Sequence, residues 1–253
     1  YLIHFTKHWR VEVWSAVKIR TPQSSIRNRN MRYYPIYLDI KDRAVLVVGG
    51  GAIAEGKALQ LVEAGARVRL VSPDLTPRLT ELANSRVIEY HPHRFRIEDL
   101  HGVFLVVSAT DDQAVNEDVA RLAAELGVLC NVVDQPALCN FITPALVTRG
   151  NLQISVSSGG GSPSVAQRVK REIGELIGDE YGELLEVAAE MRAEAKRLLP
   201  TYEARRKVLQ AFAESDAIDL LRAGKRDDAR KLAFDLLQKA IEETHTIQKE
   251  EQR

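Results

Sequence analysis

The feature that most constrains the fold is a short apolar run followed directly by glycines. Residues 44–48 read AVLVV, with charged residues before them and Gly49 to Gly51 after them. A fully apolar run of this length, bounded in this way, is typical of a strand buried on both faces of a parallel sheet. A helical pattern over residues 52–64 and a second predicted strand over 67–71 complete a β-α-β unit, so we predict that a parallel sheet begins here.

The glycines fit the G-x-G-x-x-A pattern that joins a strand to a helix in dinucleotide-binding folds. Gly49 permits a tight turn, Gly51 lets the backbone approach a pyrophosphate, and Ala54 is small enough for the helix to pack on the sheet. The helix N-terminus at Ala52 and Ile53 offers free N–H groups and a partial positive charge to phosphates. A tight turn without a ligand is the alternative, but the complete strand, loop, helix and strand context favours a dinucleotide.

The tip of the second strand bears on which dinucleotide is bound. An NAD site usually carries an acidic residue there for the ribose hydroxyls. In this sequence the tip reads Ser72, Pro73 and Asp74. Ser72 can make one hydrogen bond, and Asp74 lies slightly beyond the usual position of the acidic residue. No basic residue follows immediately to hold a 2′-phosphate, although Arg78 is near. We therefore predict NAD rather than NADP as the cofactor.

Strand and helix patterns continue to alternate as far as residue 133. Strand patterns at 87–90, 103–108 and 128–133, with helical patterns at 76–84 and 112–126, predict a doubly wound parallel sheet of the Rossmann type. The period then changes. Residues 152–156 alternate apolar and polar side chains, which indicates a half-exposed strand in a second sheet or at a dimer interface. After Gly161 the pattern is helical, at residues 162–177, 179–199, 202–213, 215–223 and 227–243.

Residues 1–30 have a different character. They carry six lysines and arginines against Glu12 alone, show no clean period, and lack the continuous apolar core of a signal peptide. Ordered patterning starts after Met31, which we interpret as the functional start. We therefore expect a basic N-terminal extension outside the fold; a targeting or binding arm is the alternative.

Composition excludes several classes of protein. Lys and Arg total 35 and Asp and Glu total 35, so no net charge draws the chain to nucleic acid or to an anionic membrane. Cys130 and Cys139 fit no disulfide or metal-ligand spacing, which favours a reducing, cytoplasmic compartment. The close histidine pair, His91 and His93, lacks further ligands nearby, so we predict no metal site. No apolar run has the length needed to cross a bilayer.

Polar residues at the ends of the predicted strands are the candidates for chemistry. Asp134 closes the strand at 128–133, at the edge of an open parallel sheet where ligands bind. A carboxylate partly shielded from water can act as a general base, or it can simply start the turn that follows. Thr110 lies at an equivalent strand end and is a candidate for cofactor contact, while Asn131 is a candidate for substrate contact. Capping of the helix that follows is the alternative for the turn around Thr110.

A second glycine-rich stretch leads into a helix after the half-exposed strand. Ser157, Ser158, Gly159 and Gly160 can place several N–H groups around an anion, and we predict that they bind substrate. Arg168 on the helix that follows is a further candidate for binding an acidic substrate. A solvated helix face is the alternative for Arg168.

Five segments of the sequence resemble the precorrin-2 dehydrogenase / sirohydrochlorin ferrochelatase family, the N-terminal module of siroheme synthases. They lie between Tyr34 and Phe212 and read PIYLDIKDRAVLVVGGGAIAEGKA, SATDDQAVN, CNVVDQPALCNFITPALV, ISVSSGGGSPSVAQRVKREI and, less specifically, EARRKVLQAF. A generic dehydrogenase would share only the first segment, so the central three carry the resemblance.

The resemblance implies NAD-dependent oxidation of precorrin-2 to sirohydrochlorin, with Asp134 as the catalytic acid or base. Some members of the family also insert ferrous iron as a substrate to make siroheme, and the sequence leaves that second activity open. In some members the serine that matches Ser158 is phosphorylated, and one sequence does not decide this either. Because precorrin-2 carries many carboxylates, anion sites are expected on its enzyme.

The resemblance also implies a homodimer and a division of the chain. We predict an NAD-binding Rossmann domain at residues 31–143, a dimerisation segment at 144–176 and a helical C-terminal domain at 177–253. Two other functions stay open from the residues alone. One is a non-catalytic NAD-binding regulatory module, which does not need the serine-glycine stretch. The other is a dehydrogenase for a small hydroxy or keto substrate, for which no histidine lies at a suitable strand end.

Overall fold

The computed structural model describes residues 32–251, with side chains as far as residue 246. The predictions for residues 1–30 and for Met31 lie outside the described residues. The chain forms two units, Tyr1–Leu38 and Asp39–Arg253. Residues 32–38, the described part of the first unit, contain no helix or strand. The sheets, the helices and the candidate site all lie within the second unit.

Five parallel strands form the central sheet, in the order β3-β2-β1-β4-β5. The strands are β1 (Ala44–Val48), β2 (Arg67–Val71), β3 (Glu89–His91), β4 (Leu105–Ser108) and β5 (Leu129–Val132). The chain runs outward from β1 in one direction and then returns to start β4 on its other side. Ligands bind at such a switch point in open α/β sheets. The register sets Val48 beside Ser108 and Ser108 beside Val132, so three strand ends lie side by side.

Helices cover both faces of this sheet: α1 (Ala52–Glu63), α2 (Pro77–Asn84) and α3 (Gln113–Leu126). Successive residues of β1 point to opposite faces. Leu46 packs with Val119 in the core beneath α3, whereas Val47 packs with Ala54 and Ala58 of α1. Both faces of β1 are therefore buried, which explains why this strand is apolar throughout. The predicted Rossmann-type doubly wound sheet is confirmed.

Capping side chains fix where these helices begin. The Thr76 hydroxyl accepts a hydrogen bond from the Leu79 N–H at 3.2 Å, and Pro77 occupies the first turn of α2. The Asp112 carboxylate accepts from the N–H groups of Ala114 and Val115 at the start of α3. Side chains of this kind satisfy amides that have no partner within the helix.

The rest of the chain forms a small hairpin and a helical region. Strands β6 (Ala145–Arg149) and β7 (Leu152–Val156) pair antiparallel in a second sheet. The helices are α4 (Pro163–Leu176), α5 (Glu180–Leu198), α6 (Tyr202–Ala213), α7 (Ala217–Arg222) and α8 (Arg226–Glu251). Met191, Phe212 and Leu237, on α5, α6 and α8, lie in one buried cluster. The predicted helical region is confirmed, and β6 is a strand that the sequence pattern did not predict.

No helix within residues 32–251 has the length and apolar character needed to cross a membrane.

Candidate functional site

The first glycine loop, Gly49–Gly51, is held between its two neighbouring strands. The Gly49 N–H donates to the Val71 carbonyl at 2.9 Å, and the Ala109 N–H donates to the Val48 carbonyl at 2.8 Å. The Thr76 N–H donates to the Gly50 carbonyl at 3.0 Å. Backbone contacts from both sides of β1 therefore fix the loop at the switch point.

Glycine is required at the first two positions of this loop. Gly49 has φ +121°, and a Cβ atom there would lie 2.3 Å from the Ala109 carbonyl oxygen. A Cβ atom on Gly50 would lie 1.8 Å from the carbonyl oxygen of Asp74. Both distances are far inside van der Waals contact, so any side chain would displace the loops after β2 and β4.

The third glycine faces open space. A Cβ atom on Gly51 would meet no atom within 4 Å, and no side chain caps the helix at this position. The Glu55 N–H donates to the Gly51 carbonyl at 3.0 Å, the first hydrogen bond of α1. The amides before Glu55 therefore precede the helical ladder and point out of the N-terminus. This arrangement fits a pyrophosphate, which needs close backbone approach, N–H donors and a positive helix end.

The tip of β2 lies against the same loop. Ser72 is buried, and its Oγ would lie 2.7 Å from a Cβ atom on Gly50. Pro73 and Asp74 are exposed, and Arg78 pairs with Glu81 at 2.8 Å. Ser72, Pro73 and Asp74 thus border the glycine loop, and their contacts with a cofactor stay a prediction.

The turn after β4 borders the loop on the other side. A Cβ atom on Gly49 would lie 3.3 Å from the Thr110 backbone nitrogen. The Thr110 hydroxyl accepts from the Asp112 N–H at 3.2 Å, and the Thr110 carbonyl accepts from the Asn116 amide at 3.0 Å. The Ser108 hydroxyl donates to the same Asn116 side chain at 2.7 Å. Asn116 is 3% exposed and fixes this turn, a role that its place in a helical pattern did not predict.

Asp134 follows β5 at the same edge of the sheet. It is exposed, and its φ of +59° places it in the left-handed region, which Asp and Asn tolerate better than other non-glycine residues. The next residue, Gln135, exchanges two hydrogen bonds with Gln113 at the start of α3, at 3.1 and 2.6 Å. The turn that carries the carboxylate is therefore held against a neighbouring helix.

The chain beyond Asp134 folds back along β5. The Asn131 amide, 7% exposed, donates to the Phe141 carbonyl at 3.1 Å. The Asn140 side chain accepts from the Cys130 N–H at 2.7 Å and donates to the Val128 carbonyl at 3.3 Å. Asn131 thus organises the segment around the site, and its contact with substrate stays a prediction.

Burial also controls the thiol of Cys130. Loss of solvent raises the pKa of Cys130 to about 12, with a smaller contribution from Cys139. Cys130 is therefore a protonated, inert core residue near neutral pH.

Lys57 is a site residue that the sequence analysis missed. It lies on α1 and is half-buried, and its Nζ donates to the Thr143 hydroxyl at 3.2 Å. Burial lowers the pKa of the Lys57 ammonium, while the negative charge of Asp134 opposes that shift. The available signal was a lysine in the helical turn between Ala54 and Ala58, two residues that pack against the sheet.

The serine-glycine loop, residues 157–162, lies beside the Asp134 turn. A Cβ atom on Gly160 would lie 3.8 Å from the side chain of Pro136, two residues beyond Asp134. The loop's own serines occupy several of its amides. The Gly159 N–H donates to the Ser157 hydroxyl and the Ser162 N–H to the Ser158 hydroxyl, both at 3.1 Å.

The exposed residues of this loop and its helix are the predicted substrate contacts. Ser157, Ser158, Gly159 and Gly160 are all exposed. Arg168 on α4 is also exposed and pairs with Glu172 at 2.8 Å. Their contacts with substrate stay a prediction.

No group of three or more His, Cys, Asp and Glu side chains that could hold a metal occurs among the described residues. His91 pairs with Glu89 at 2.8 Å, and His93 lies 3.7 Å from Asp99. This histidine pair therefore belongs to local contacts around β3.

Three family models match consecutive parts of the chain. Residues 36–145 match a model described as putative NAD(P)-binding, which agrees with the Rossmann fold. Residues 149–176 match the sirohaem biosynthesis protein central model, and residues 180–239 match the sirohaem synthase dimerisation region. That last region follows the predicted dimerisation segment at 144–176, and the domain boundaries stay a prediction.

Curated relatives match over most of this chain. The siroheme synthase of Thioalkalivibrio sulfidiphilus is 39% identical over 212 residues, which are 84% of this chain and 42% of that protein. The siroheme synthase of Nitrosomonas eutropha is 35% identical over 214 residues, 84% of this chain and 45% of that protein. The chain therefore spans less than half the length of these relatives.

A solved structure matches the fold as well. The structure titled "SirC, precorrin-2 dehydrogenase" superposes with a TM-score of 0.69 at 27% identity, covering 80% of this chain and 100% of that chain. The five resembling segments, the consecutive family models and this structural match agree with one another. The chain belongs to the family formed by precorrin-2 dehydrogenases and the corresponding part of siroheme synthases.

Proposed function

We propose that this protein oxidises precorrin-2 to sirohydrochlorin with NAD as the hydride acceptor. One observation carries the proposal: the uncapped N-terminus of α1 after Gly51 and the Asp134 carboxylate lie at the same edge of the sheet. Only β4 stands between the strands that end in these two groups. Relatives named siroheme synthase and precorrin-2 dehydrogenase support the choice of reaction.

The residues at this edge of the sheet have separate roles in cofactor binding and proton transfer. The α1 amides and the open face of Gly51 bind the pyrophosphate, and Thr110, Ser72, Pro73 and Asp74 border the rest of the dinucleotide. When bound, NAD supplies the acceptor for a hydride. Aromatisation of precorrin-2 also releases a proton, and we assign its removal to Asp134. Because Asp134 is exposed, it can pass that proton on to water.

Substrate binding, assembly and location complete the proposal. The substrate contacts are Asn131, Ser157, Ser158, Gly159, Gly160 and Arg168. We propose that the protein acts as a homodimer in the cytoplasm. The match to a dimerisation region supports the assembly.

Purified protein, precorrin-2 and NAD mixed without oxygen test the reaction. We expect stoichiometric NADH and sirohydrochlorin, followed by their absorbance. NAD binding with no binding of tetrapyrrole would favour the regulatory-module hypothesis. NAD-dependent oxidation of small hydroxy acids, with no turnover of precorrin-2, would favour the generic dehydrogenase.

Insertion of ferrous iron into sirohydrochlorin is a second candidate activity. The exposed Asp134 carboxylate is a group that can accept the pyrrole N–H protons displaced by iron. Incubation with sirohydrochlorin and ferrous iron, with the siroheme spectrum as readout, separates a dehydrogenase from a bifunctional enzyme. A rate equal to the reaction without protein would reject the second activity.

A further inference from the structure

The ammonium of Lys57 lies near Asp134 and has no ion pair among the residues that the structure describes. Lys57 is half-buried and lies in the turn of α1 between the fully buried Ala54 and Ala58. Among the described residues no carboxylate lies within 4.0 Å of Lys57 Nζ, whereas the half-buried Arg69 and Arg149 each pair with a carboxylate. Partial burial of an unpaired cation costs free energy, because the charged form loses water.

The folded-back segment after β5 sets the position of this ammonium. The Asn131 amide holds the Phe141 carbonyl, and two residues later the Thr143 hydroxyl accepts the hydrogen bond from Lys57. Asp134, at the start of the same segment, acts on Lys57 electrostatically. Lys57 and Asp134 therefore share one edge of the sheet, although they lie far apart in sequence.

An ammonium carries three N–H donors, and the Thr143 hydroxyl accepts only one hydrogen bond from Lys57. Two donors are left for another acceptor. The proposed substrate is a polyanion, which the Asp134 carboxylate would repel. A cation beside Asp134 offsets that repulsion and can bind a substrate carboxylate through a charge-assisted hydrogen bond.

We propose that Lys57 is a substrate-binding residue that holds a carboxylate of the tetrapyrrole beside Asp134, with Thr143 positioning its ammonium. The inference rests on the proposed function, since it takes the tetrapyrrole as the ligand. It adds a binding group on α1 to those predicted on the serine-glycine loop.

Titration of the protein with sirohydrochlorin without oxygen, followed by absorbance, tests the inference independently of turnover. We expect Lys57→Met to weaken sirohydrochlorin binding by at least about tenfold, the loss expected for one charge-assisted hydrogen bond. Lys57→Arg should restore most of the affinity, and Thr143→Val should cause a smaller loss. NAD affinity and the urea unfolding midpoint should stay close to the wild-type values, because methionine keeps the packing of the lysine stem.

Lys239→Met is the matched control, since Lys239 is an exposed lysine on α8 far along the chain from the site. Equal sirohydrochlorin affinity for wild type and Lys57→Met would overturn the inference and leave the proposed function intact. A loss of NAD affinity as large as the loss of sirohydrochlorin affinity would also overturn it. Failure of the wild-type protein to bind sirohydrochlorin would overturn both proposals.

Discussion

Two glycine-rich loops lead from a strand into a helix, and they differ in how the free N–H groups at the helix N-terminus are satisfied. In the first glycine loop no side chain caps α1, and Gly51 faces open space. In the serine-glycine loop the Ser162 hydroxyl caps α4 by accepting from the Val165 N–H at 3.4 Å. Ser157 and Ser158 take up two further amides of that loop.

We infer from this difference that the first glycine loop is the one that binds an anion through its amides. Amides at a helix N-terminus need a partner, and a loop without capping side chains leaves that place to a ligand. A loop that satisfies its own amides instead presents hydroxyl groups. We therefore propose that the first glycine loop binds the pyrophosphate and that the serine-glycine loop contacts tetrapyrrole carboxylates through its hydroxyl groups.

The largest expected effect is on the first glycine loop itself. Gly50→Ala places a Cβ atom 1.8 Å from the Asp74 carbonyl oxygen, so the tip of β2 must move. We expect a loss of about 3 kcal/mol in the free energy of unfolding, at the upper end for overpacking. Gly161→Ala, whose Cβ atom would lie 3.2 Å from the Ser158 carbonyl oxygen, should cost much less. Urea unfolding measures the stability of both variants, and equal losses would contradict the expected difference between the two loops.

The helix behind the serine-glycine loop depends on a group at its other end. The half-buried Arg149 guanidinium donates to the carbonyls of Gly174 and Ile177, both at 2.8 Å, where α4 ends. Arg149→Met should lower the free energy of unfolding by about 2 kcal/mol, because two carbonyls lose a charged donor. Arg168→Met, on the exposed face of α4, should leave the free energy of unfolding close to the wild-type value, because exposed ion pairs contribute little to stability. Chemical denaturation of the two variants decides whether Arg149 anchors α4.

Gly51→Asp gives the first glycine loop a capping side chain of its own. Gly51 has φ −83° and an open Cβ position, so aspartate fits without strain. We expect the free protein to gain a few tenths of a kcal/mol, the usual difference between Gly and Asp at an N-cap. NAD affinity should fall at least about tenfold, because the carboxylate repels the pyrophosphate and competes for its amides.

Isothermal calorimetry with NAD measures that loss, and Gly51→Ser is the uncharged control with a smaller effect. Unchanged NAD affinity in Gly51→Asp would place the pyrophosphate elsewhere.

The smallest expected effect is at the cap of α4. Ser162→Ala removes the hydroxyl that accepts from Val165 and should cost about 1 kcal/mol of stability, the usual value for an N-cap. NAD affinity should not change, because this residue caps the helix of the other loop. Thermal unfolding with and without NAD checks both statements, and a drop in NAD affinity would count against separate roles for the loops.

Local sequence patterns predicted most of the fold. The apolar run at 44–48 is β1 with the predicted bounds, because a strand buried on both faces must be apolar along its whole length. Strand β2 also has the predicted bounds, 67–71, although it carries the exposed Arg67 and the half-buried Arg69. Caps such as Asp112 are also visible in sequence, since each acts within three residues of itself. Strand β6 escaped prediction because only Val147 is buried in it, which leaves no apolar period to detect.

The site was predictable where strand ends carry polar residues and unpredictable where contacts are long-range. Asp134 and the first glycine loop follow from their positions after apolar runs. The Lys57–Thr143 hydrogen bond joins residues 86 positions apart, and no local pattern encodes it. Asn116 reads as an ordinary polar helix residue, although it is buried and holds the turn that carries Thr110.

The most direct test of the account is Asp134→Asn, assayed for precorrin-2 turnover and NAD affinity in the same preparation. Asparagine is chosen because it tolerates the left-handed backbone at this position, where alanine would add strain. We predict that turnover falls by at least about 100-fold, as for loss of a general base, while NAD affinity stays within a few-fold of wild type. Turnover close to wild type in Asp134→Asn would contradict it.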